Sequence, residues 1–311
     1  MARWYGGAAR RTAAQPNQKG FLMSITFPAR PALAPLRLLC VLAHPDDEAL
    51  ALGGMLARYA AEGVETYLVT ATRGERGWQG DPSEDPGPAA LGRLREAELR
   101  AAAAVLGLHE VSILGYGDGA LAAADGSETV AVVAGHIRRI QPQVVVTFGP
   151  DGATGHPDHI AISQITTAAV LAAAEPQRAA SGAMWPHRVD KLYYLADSRE
   201  RTAAYDAAFG ASAMTVDGVV RRVPGWEPWA ITTRVDARAY APQAWRAIAC
   251  HRSQIPENIA EQLTSEQHRL LWGIQEFYRV FSLVNSGRAV EDDLFAGVER
   301  QAASGPLLDT P

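Results

Sequence analysis

The amino-acid sequence predicts an α/β protein built on a doubly wound, mainly parallel sheet flanked by helices. Residues 36–43 (LRLLCVLA) and 144–148 (VVVTF) are nearly unbroken apolar runs, as expected of strands in the middle of a parallel sheet. Segments of helical period lie between such runs. This alternation of strands and helices is typical of a doubly wound fold.

The first half of the chain follows this alternation regularly. Leu50, Leu56 and Tyr59 recur at helical spacing and predict a helix over 47–62. The Gly- and Pro-rich residues 73–90 form a connection long enough to be a lid or a site wall. The predicted strands cover 36–43, 65–70, 111–114 and 144–148. The predicted helices cover 47–62, 91–106, 128–140 and 158–174.

The second half is less regular, and we expect a helical and irregular C-terminal part. The predictions are a strand over 191–196, an irregular excursion or small hairpin over 197–230, a strand over 231–235, and helices from Pro242 onward with breaks at Pro256 and near Gly273. The expected domain organisation is a flexible extension over 1–34, a single domain over 35–300 and a loose tail over 301–311.

Composition and charge argue against several classes of function. Apolar residues make up 48% and charged residues 20% of the 311 residues, as in an ordinary globular protein. A net charge of −5 without a basic stripe argues against a nucleic-acid partner. No apolar stretch reaches the about 18 residues of a membrane span. Cys40 and Cys250 cannot make a disulfide framework, and Cys40 is interpreted as a packing residue. We expect a cytoplasmic protein, and a homo-oligomer is compatible with the sequence.

Polar side chains follow the two central apolar runs. Residues 43–48 (AHPDDE) come directly after the first run, and residues 155–159 (GHPDH) follow the second. Open α/β sheets bind their ligands at the carboxyl ends of the strands, so the two clusters can share one crevice. The sequence therefore predicts a metal site there.

The residue types suit a catalytic metal ion. A catalytic zinc takes three protein ligands from His, Asp and Glu and leaves a position for water. His44 and Asp47 lie together at a strand-to-helix turn, and His159 is the best candidate for the third ligand. Asp46 is then free to accept a proton from water. This ligand set also admits Fe²⁺.

The second cluster offers further chemistry. His156, if protonated, would stabilise an oxyanion and protonate a leaving amine. Asp158 would hold a histidine in the required tautomer. The simpler alternatives are that Asp46 caps the following helix and that residues 156–159 form an ordinary loop. Glu48 either helps to hold the turn or takes a direct chemical role.

These motifs resemble the LmbE-like, or PIG-L, family of zinc-dependent N-acetylglucosaminyl deacetylases. The resemblance rests on 43–48 and 156–159, and it extends to Gly53-Gly54, Thr72-Arg73-Gly74-Glu75, Arg95-x-x-Glu98, the segment 114–119 (LGYGDG) and His251-x-Ser253-Gln254. It is strong over about 36–160 and loose elsewhere. The family implies a Rossmann-like fold and hydrolysis of an N-acyl group from an amino sugar or a related amide.

The resemblance also implies roles for individual residues. Carried over, His44, Asp47 and His159 bind zinc, Asp46 is the general base and His156 assists the oxyanion and the leaving group. Arg95 and Asp118 match positions that bind the sugar or shape its pocket. Glu75, in the matched Thr72–Glu75 motif, is a further candidate for substrate binding, and Trp78 is a candidate stacking platform for a pyranose. The alternatives are that Arg95 is a surface arginine paired with Glu96 or Glu98, that Asp118 is a turn residue, and that Trp78 only packs. His251 is interpreted as structural, with reach to the site as the alternative.

The predicted reaction is release of an acyl group, most simply acetate, from a small-molecule amino sugar by metal-activated water. Glycosides of N-acetylglucosamine, thiol-conjugate amides and cell-wall or antibiotic sugars are all compatible substrates. A dinucleotide-binding oxidoreductase is disfavoured because His44-Pro45-Asp46-Asp47 replaces the glycine-rich fingerprint after the first strand. A metallophosphoesterase would need more carboxylates. The remaining alternative is a non-catalytic carbohydrate-binding relative.

Overall fold

A seven-stranded mixed sheet forms the centre of the described structure, with the strand order β3-β2-β1-β4-β5-β9-β8. The computed structural model describes residues 33–176, 184–209, 213–216, 219–222, 225–255, 264–287 and 289–300. The expected extension, apart from residues 33 and 34, lies outside them, as do the tail 301–311 and the predicted break at Pro256.

The strands and helices follow one another in the predicted alternation over the first half of the chain. The strands are β1 Arg37–Leu42, β2 Glu65–Thr72, β3 Glu110–Tyr116, β4 Val144–Thr147 and β5 Lys191–Leu195. The helices are α1 Asp47–Ala61, α2 Pro88–Leu106, α3 Gly126–Ile140, the single turn α4 Gly152–Gly155 and α5 Pro157–Ala174. These five strands are all parallel, which confirms the predicted fold class.

β1 and β4 are neighbours at the middle of this parallel array, with Leu38 opposite Val144 and Cys40 opposite Val146. Both strands are fully buried along their paired residues, since helices cover the two faces. Cys40 is among the buried residues, which confirms it as a packing residue. Because parallel strands end at the same edge of a sheet, the segments that follow β1 and β4 emerge side by side.

The second half of the chain holds the main differences from the prediction. Its elements are α6 Arg199–Phe209, β6 Ala213–Val216, β7 Val219–Arg222, β8 Thr233–Asp236, α7 Ala241–Ile248, α8 Ser265–Trp272 and β9 Ile274–Ser282. The predicted small hairpin is present as β6 and β7, which pair antiparallel. The predicted break near Gly273 is confirmed, because α8 ends at Trp272.

The prediction that the chain continues as helix beyond Gly273 was wrong. Residues 274–282 form β9, which lies between β5 and β8 and pairs antiparallel with both. α6 was also missed, because its sequence RERTAAYDAAF carries no clear apolar stripe. Within the described ranges, no helix has the length and hydrophobicity needed to cross a membrane.

Candidate functional site

The turn between β1 and α1 folds the Asp47 carboxylate back onto its own backbone. Asp47 Oδ2 accepts hydrogen bonds from the backbone N–H of His44 at 2.8 Å and of Ala43 at 3.1 Å. These bonds fix the carboxylate at the carboxyl end of β1. Its second oxygen, Oδ1, lies 3.4 Å from Nε2 of His159.

His159 is held in one tautomer by its surroundings. Its Nδ1 donates to the carbonyl oxygen of Gly152 at 3.0 Å, and its ring stacks on Phe148 with 4.0 Å between centroids. Nε2 is therefore left with a lone pair. This atom lies 3.1 Å from Nδ1 of His44, so the two predicted clusters meet in space.

Two buried carboxylates orient His44 from its other side. His44 Nε2 lies 3.2 Å from Oδ1 of Asp118 and 3.3 Å from Oδ2 of Asp158. Burial opposes a charge on His44, but Asp118, Asp158 and Asp47 outweigh it and raise the pKa of His44 to about 10. The structure thus strongly favours positive charge at this imidazole.

Asp118 and Asp158 are fixed by backbone donors. Asp158 accepts from the N–H groups of Gly119 and Leu121, and Asp118 accepts from that of Arg76. Burial works against the charge of Asp118, yet its interactions with His44 and Arg76 lower its pKa to about 2. Asp158 thus contacts a histidine in the way the sequence predicts, whereas Asp118 lies beside the same imidazole.

His156 caps the helix that carries His159. Its Nδ1 accepts from the backbone N–H of Asp158 at 3.1 Å, so only Nε2 remains available to a ligand. Burial and the neighbouring His44 and His159 lower the pKa of His156 to about 4. The protonated His156 considered from the sequence is therefore not the neutral-pH state in this structure, where the neutral ring keeps a donor at Nε2.

Asp46 has a backbone conformation that few residues with a side chain adopt. Its φ is 113°, and its side chain makes no capping bond to α1, so the helix-cap alternative was wrong. The carboxylate instead accepts from Nη2 of Arg95 at 3.1 Å. Burial and the charge of Asp47 raise the pKa of Asp46 to about 7, against the opposing effect of Arg95.

Arg95 and Glu48 are both buried around the Asp46 turn. Arg95 donates to the carbonyl oxygens of Gly74 and Pro45, which excludes the surface-arginine alternative. Glu48 accepts from the backbone N–H of Asp46 at 3.0 Å and lies 2.7 Å from Nε2 of His251. Glu48, in contact with His251, therefore stabilises the turn through the backbone N–H of Asp46.

The other predicted substrate residues lie on the loop after β2. Glu75 accepts from the backbone N–H of Asp118 at 2.9 Å. Trp78 is partly exposed, and its Nε1 donates to the carbonyl oxygen of Asp81. The structure thus connects Glu75 to the loop of Asp118 and leaves Trp78 on the surface of its own loop.

The segment after α7 contacts both α2 and the loop after β2. The sequence did not predict this connection. Ser253 donates through its N–H and its hydroxyl to Glu98 on α2, and Gln254 donates to the carbonyl oxygen of Gly77. The signal was present only as the motif His251-x-Ser253-Gln254. Its role depends on contacts between residues up to 177 positions apart.

The donor set of His44, Asp47 and His159 fits a divalent cation. Because Nδ1 of His159 is bound to Gly152, and Nε2 of His44 faces two carboxylates, the remaining imidazole nitrogens point lone pairs at each other. Such an arrangement needs a positive charge between them, either a second proton on His44 or a metal ion. Ligand atoms around a tetrahedral zinc lie about 3.3 Å apart, close to the observed separations.

Two overlapping donor groups also lie within ligand distance. Ligand atoms of His44, His156 and His159 are all within 4.8 Å of one another, as are those of His44, Asp118 and Asp158. These groups offer two alternative ligand sets for a metal ion, one that includes His156 and one that includes the two carboxylates. His159 lies next to Nδ1 of His44, whereas Asp118 and Asp158 lie next to its Nε2.

Comparison with known proteins decides the family. Residues 39–170 match the family model described as PIG-L, GlcNAc-PI de-N-acetylase. A 1D-myo-inositol 2-acetamido-2-deoxy-alpha-D-glucopyranoside deacetylase of Kineococcus radiotolerans is 35% identical over 85% of this chain and 83% of its own length. The chain belongs to the PIG-L family. A deacetylase of the same name from Streptomyces griseus is 36% identical over 84% of this chain and 89% of its own length.

Solved structures agree on the fold of this PIG-L protein. A conserved protein of Thermus thermophilus aligns with a TM-score of 0.57 and 30% identity, covering 81% of this chain and 97% of its own. An N,N'-diacetylchitobiose deacetylase of Pyrococcus horikoshii aligns with a TM-score of 0.59 at 19% identity over 78% and 83% of the two chains.

The fold is not confined to one reaction. The 4-carboxy-2-hydroxymuconate hydratase of Pseudomonas putida aligns with a TM-score of 0.58 at 19% identity over 81% of this chain and 99% of its own. Fold alone therefore does not decide the chemistry, and the family does. The chain is a hydrolytic deacetylase of a metal-dependent family. The deacetylase relatives give no support to the non-catalytic alternative.

Proposed function

We propose that this PIG-L deacetylase uses zinc to remove the acetyl group from an N-acetylglucosamine glycoside of inositol. The observation that carries the proposal is that Nε2 of His159 lies 3.1 Å from Nδ1 of His44 and 3.4 Å from Oδ1 of Asp47, with Asp46 next to Asp47 in the same turn. The inositol aglycone is suggested by the names of the relatives that match over most of the chain. Fe²⁺ is the alternative metal.

His44, Asp47 and His159 would hold the metal ion. When bound, the ion supplies Lewis-acid polarisation of the acyl carbonyl and lowers the pKa of a bound water toward about 7. Asp158 and Asp118 keep His44 in the tautomer that points Nδ1 at the ion, and the carbonyl of Gly152 does the same for Nε2 of His159.

Asp46 is the proposed general base. Its raised pKa of about 7 suits a group that takes a proton from water and then returns it to the departing amine. His156 donates a hydrogen bond from Nε2 to the oxyanion, because its Nδ1 is occupied by the N–H of Asp158. The products are acetate and the free amino sugar.

We propose that the loop after β2 lines the substrate-binding side of the site. Glu75 and Trp78 lie on the loop after β2 and are proposed to line the sugar site, with Trp78 offering an aromatic face. Asp118 is proposed to act mainly through His44, which its Oδ1 contacts.

We also propose a cytoplasmic location, since both Cys40 and Cys250 are free thiols.

Acetate release from a panel of N-acetyl sugars tests this function. The panel contains the inositol glycoside of N-acetylglucosamine, N,N'-diacetylchitobiose and free N-acetylglucosamine. We expect kcat/KM to be at least about tenfold higher for the inositol glycoside, because the aglycone adds polar contacts. Equal values would reject the inositol preference. An absence of acetate from every member, with zinc bound, would reject the proposed substrate class.

A further inference from the structure

His251 and Glu48 form a contact that lies wholly inside the protein. Nε2 of His251 donates to Oε1 of Glu48 at 2.7 Å, and both side chains are 0% exposed. Nδ1 of His251 is buried and has no partner among the described residues. The imidazole therefore uses its Nε2 to hold Glu48, and neither side chain is accessible to a bound sugar.

Glu48 connects this imidazole to the turn that carries Asp46. Its second oxygen, Oε2, accepts from the backbone N–H of Asp46 at 3.0 Å. Asp46 has a φ of 113°, at which a residue with a side chain is strained and keeps its conformation only where its neighbours hold it. The carboxylate of Glu48 thus bridges the imidazole and the strained backbone, with one oxygen for each.

The segment after α7 gives His251 a fixed position. The N–H and the hydroxyl of Ser253 donate to Glu98 on α2 at 2.9 Å and 2.6 Å, and the side chain of Gln254 donates to the carbonyl oxygen of Gly77 at 2.9 Å. The backbone N–H of Gln254 donates to the carbonyl oxygen of His251 at 3.0 Å. Because the segment is bound to α2 and to the loop after β2, His251 can hold Glu48 in one place.

We propose that His251 is a positioning residue that, through Glu48, fixes the turn of Asp46 for proton transfer. The inference rests on the proposed function in taking Asp46 as the general base. A displacement of a reacting group by about 1 Å can cost about a hundredfold in rate, so loss of the contact acts on kcat. KM is spared, because His251 does not reach the substrate.

Two substitutions of His251 separate its hydrogen bond from its bulk. A glutamine amide can place a donor where Nε2 of histidine lies, whereas an asparagine amide reaches only the place of Nδ1, which has no partner. With the inositol glycoside as substrate, His251→Asn should lower kcat by about 10- to 100-fold, and His251→Gln should keep kcat within about fivefold of wild type. KM and zinc content should stay within about threefold in both variants.

Glu48→Asp tests the same contact from its other side. A side chain shorter by one carbon cannot reach both the imidazole and the N–H of Asp46, so kcat should fall as in His251→Asn. His109→Asn is the matched control, because His109 is exposed just before β3, and it should leave kcat and KM at wild-type values.

Three kinetic results would overturn the proposal. The first is wild-type kcat in both His251→Asn and Glu48→Asp. The second is an equal loss of kcat in His251→Asn and His251→Gln, because the donor at the place of Nε2 would then not matter. The third is a rise of about tenfold or more in KM for His251→Asn with kcat retained.

A crystal structure of zinc-loaded His251→Asn provides a readout that does not depend on activity. The proposal predicts that the backbone of Asp46 leaves its φ of 113° and that its carboxylate shifts, while His44, Asp47 and His159 stay in place. An unmoved Asp46 would overturn it. Failure of the wild-type enzyme to release acetate would count against the proposed function alone, because the structural readout would still be decided.

Discussion

The structure contains two buried polar clusters that differ in how completely they are satisfied. In the first, at the carboxyl ends of β1 and β4, Nδ1 of His44 and Nε2 of His159 lie 3.1 Å apart, and either a second proton on His44 or a metal ion must lie between them. In the second, Glu291 lies against Lys191, the first residue of β5, at 2.8 Å.

The second cluster is internally saturated. One oxygen of Glu291 accepts from Lys191, Arg279 and Asn285, and the other accepts from Tyr193 and Thr233. These charged and polar donors hold the pKa of Glu291 at about 2, although its burial opposes this. The comparison separates a cluster that requires an added proton or a metal ion from one whose polar groups satisfy each other.

The largest effect expected from this difference is on metal content. His44→Ala or His159→Ala removes a nitrogen from the unsatisfied cluster, so zinc should fall below stoichiometric levels. Acetate release should drop by about a thousandfold or more, since metal assistance is worth several kcal/mol. Elemental analysis and acetate release check this. His136→Ala, on α3, should change neither, and retention of full zinc by both site variants would contradict the ligand assignment.

The next effect separates the base from the ligands. Asp46→Asn should lower kcat by about 10² to 10⁴-fold, because the amide cannot accept the proton from water. Zinc content should remain stoichiometric, since Asp46 is bound by Arg95 rather than placed among the ligand atoms. The exposed Asp85→Asn is the control. Wild-type turnover by Asp46→Asn would remove Asp46 from the mechanism.

The saturated cluster should respond in stability and not in activity. Glu291→Ala leaves the fully buried Lys191 without its carboxylate, so the free energy of unfolding should fall by roughly 3–5 kcal/mol. Zinc content and activity of the folded protein should be unchanged. Urea denaturation measures this, with the exposed Glu266→Ala expected to cost at most about 1 kcal/mol. Loss of zinc in Glu291→Ala would make the two clusters interdependent.

The smallest effect is a pH dependence of stability. The folded pKa of Glu291 is depressed from 4.5 to about 2, so its contribution is complete above the unfolded value and is lost as pH falls from about 4.5 toward 2. The stability difference between wild type and Glu291→Gln should therefore shrink when urea midpoints are compared at about pH 6 and about pH 3. A constant difference would show that the Glu291 charge is not responsible.

The sequence could predict the first cluster because its signals are local. Each motif comes soon after an apolar run, and pairing of β1 with β4 brings the two together. The supporting contacts could not be predicted, because they join distant elements. Glu48 and His251 are 203 residues apart, and Arg95 reaches Asp46 from α2. The contact of Arg95 with Asp46 and that of Asp118 with His44 were therefore not predicted.

The strand β9 shows the same limit for the fold. Phe277 and Phe281 are spaced as on a helix face as well as on a strand, so the local pattern does not distinguish the two. Only pairing with β5 and β8 decides in favour of the strand. Glu291 and its partners were likewise beyond prediction, since they lie up to 100 residues apart.

Anomalous diffraction at the zinc edge, from crystals of the full chain grown with zinc, tests the central claim most directly. The account predicts one peak within about 2.3 Å of Nδ1 of His44, Nε2 of His159 and a carboxylate oxygen of Asp47. A peak bound instead by Nε2 of His44, Asp118 and Asp158 would contradict it. So would the absence of any peak at the ends of β1 and β4 in protein that contains stoichiometric zinc.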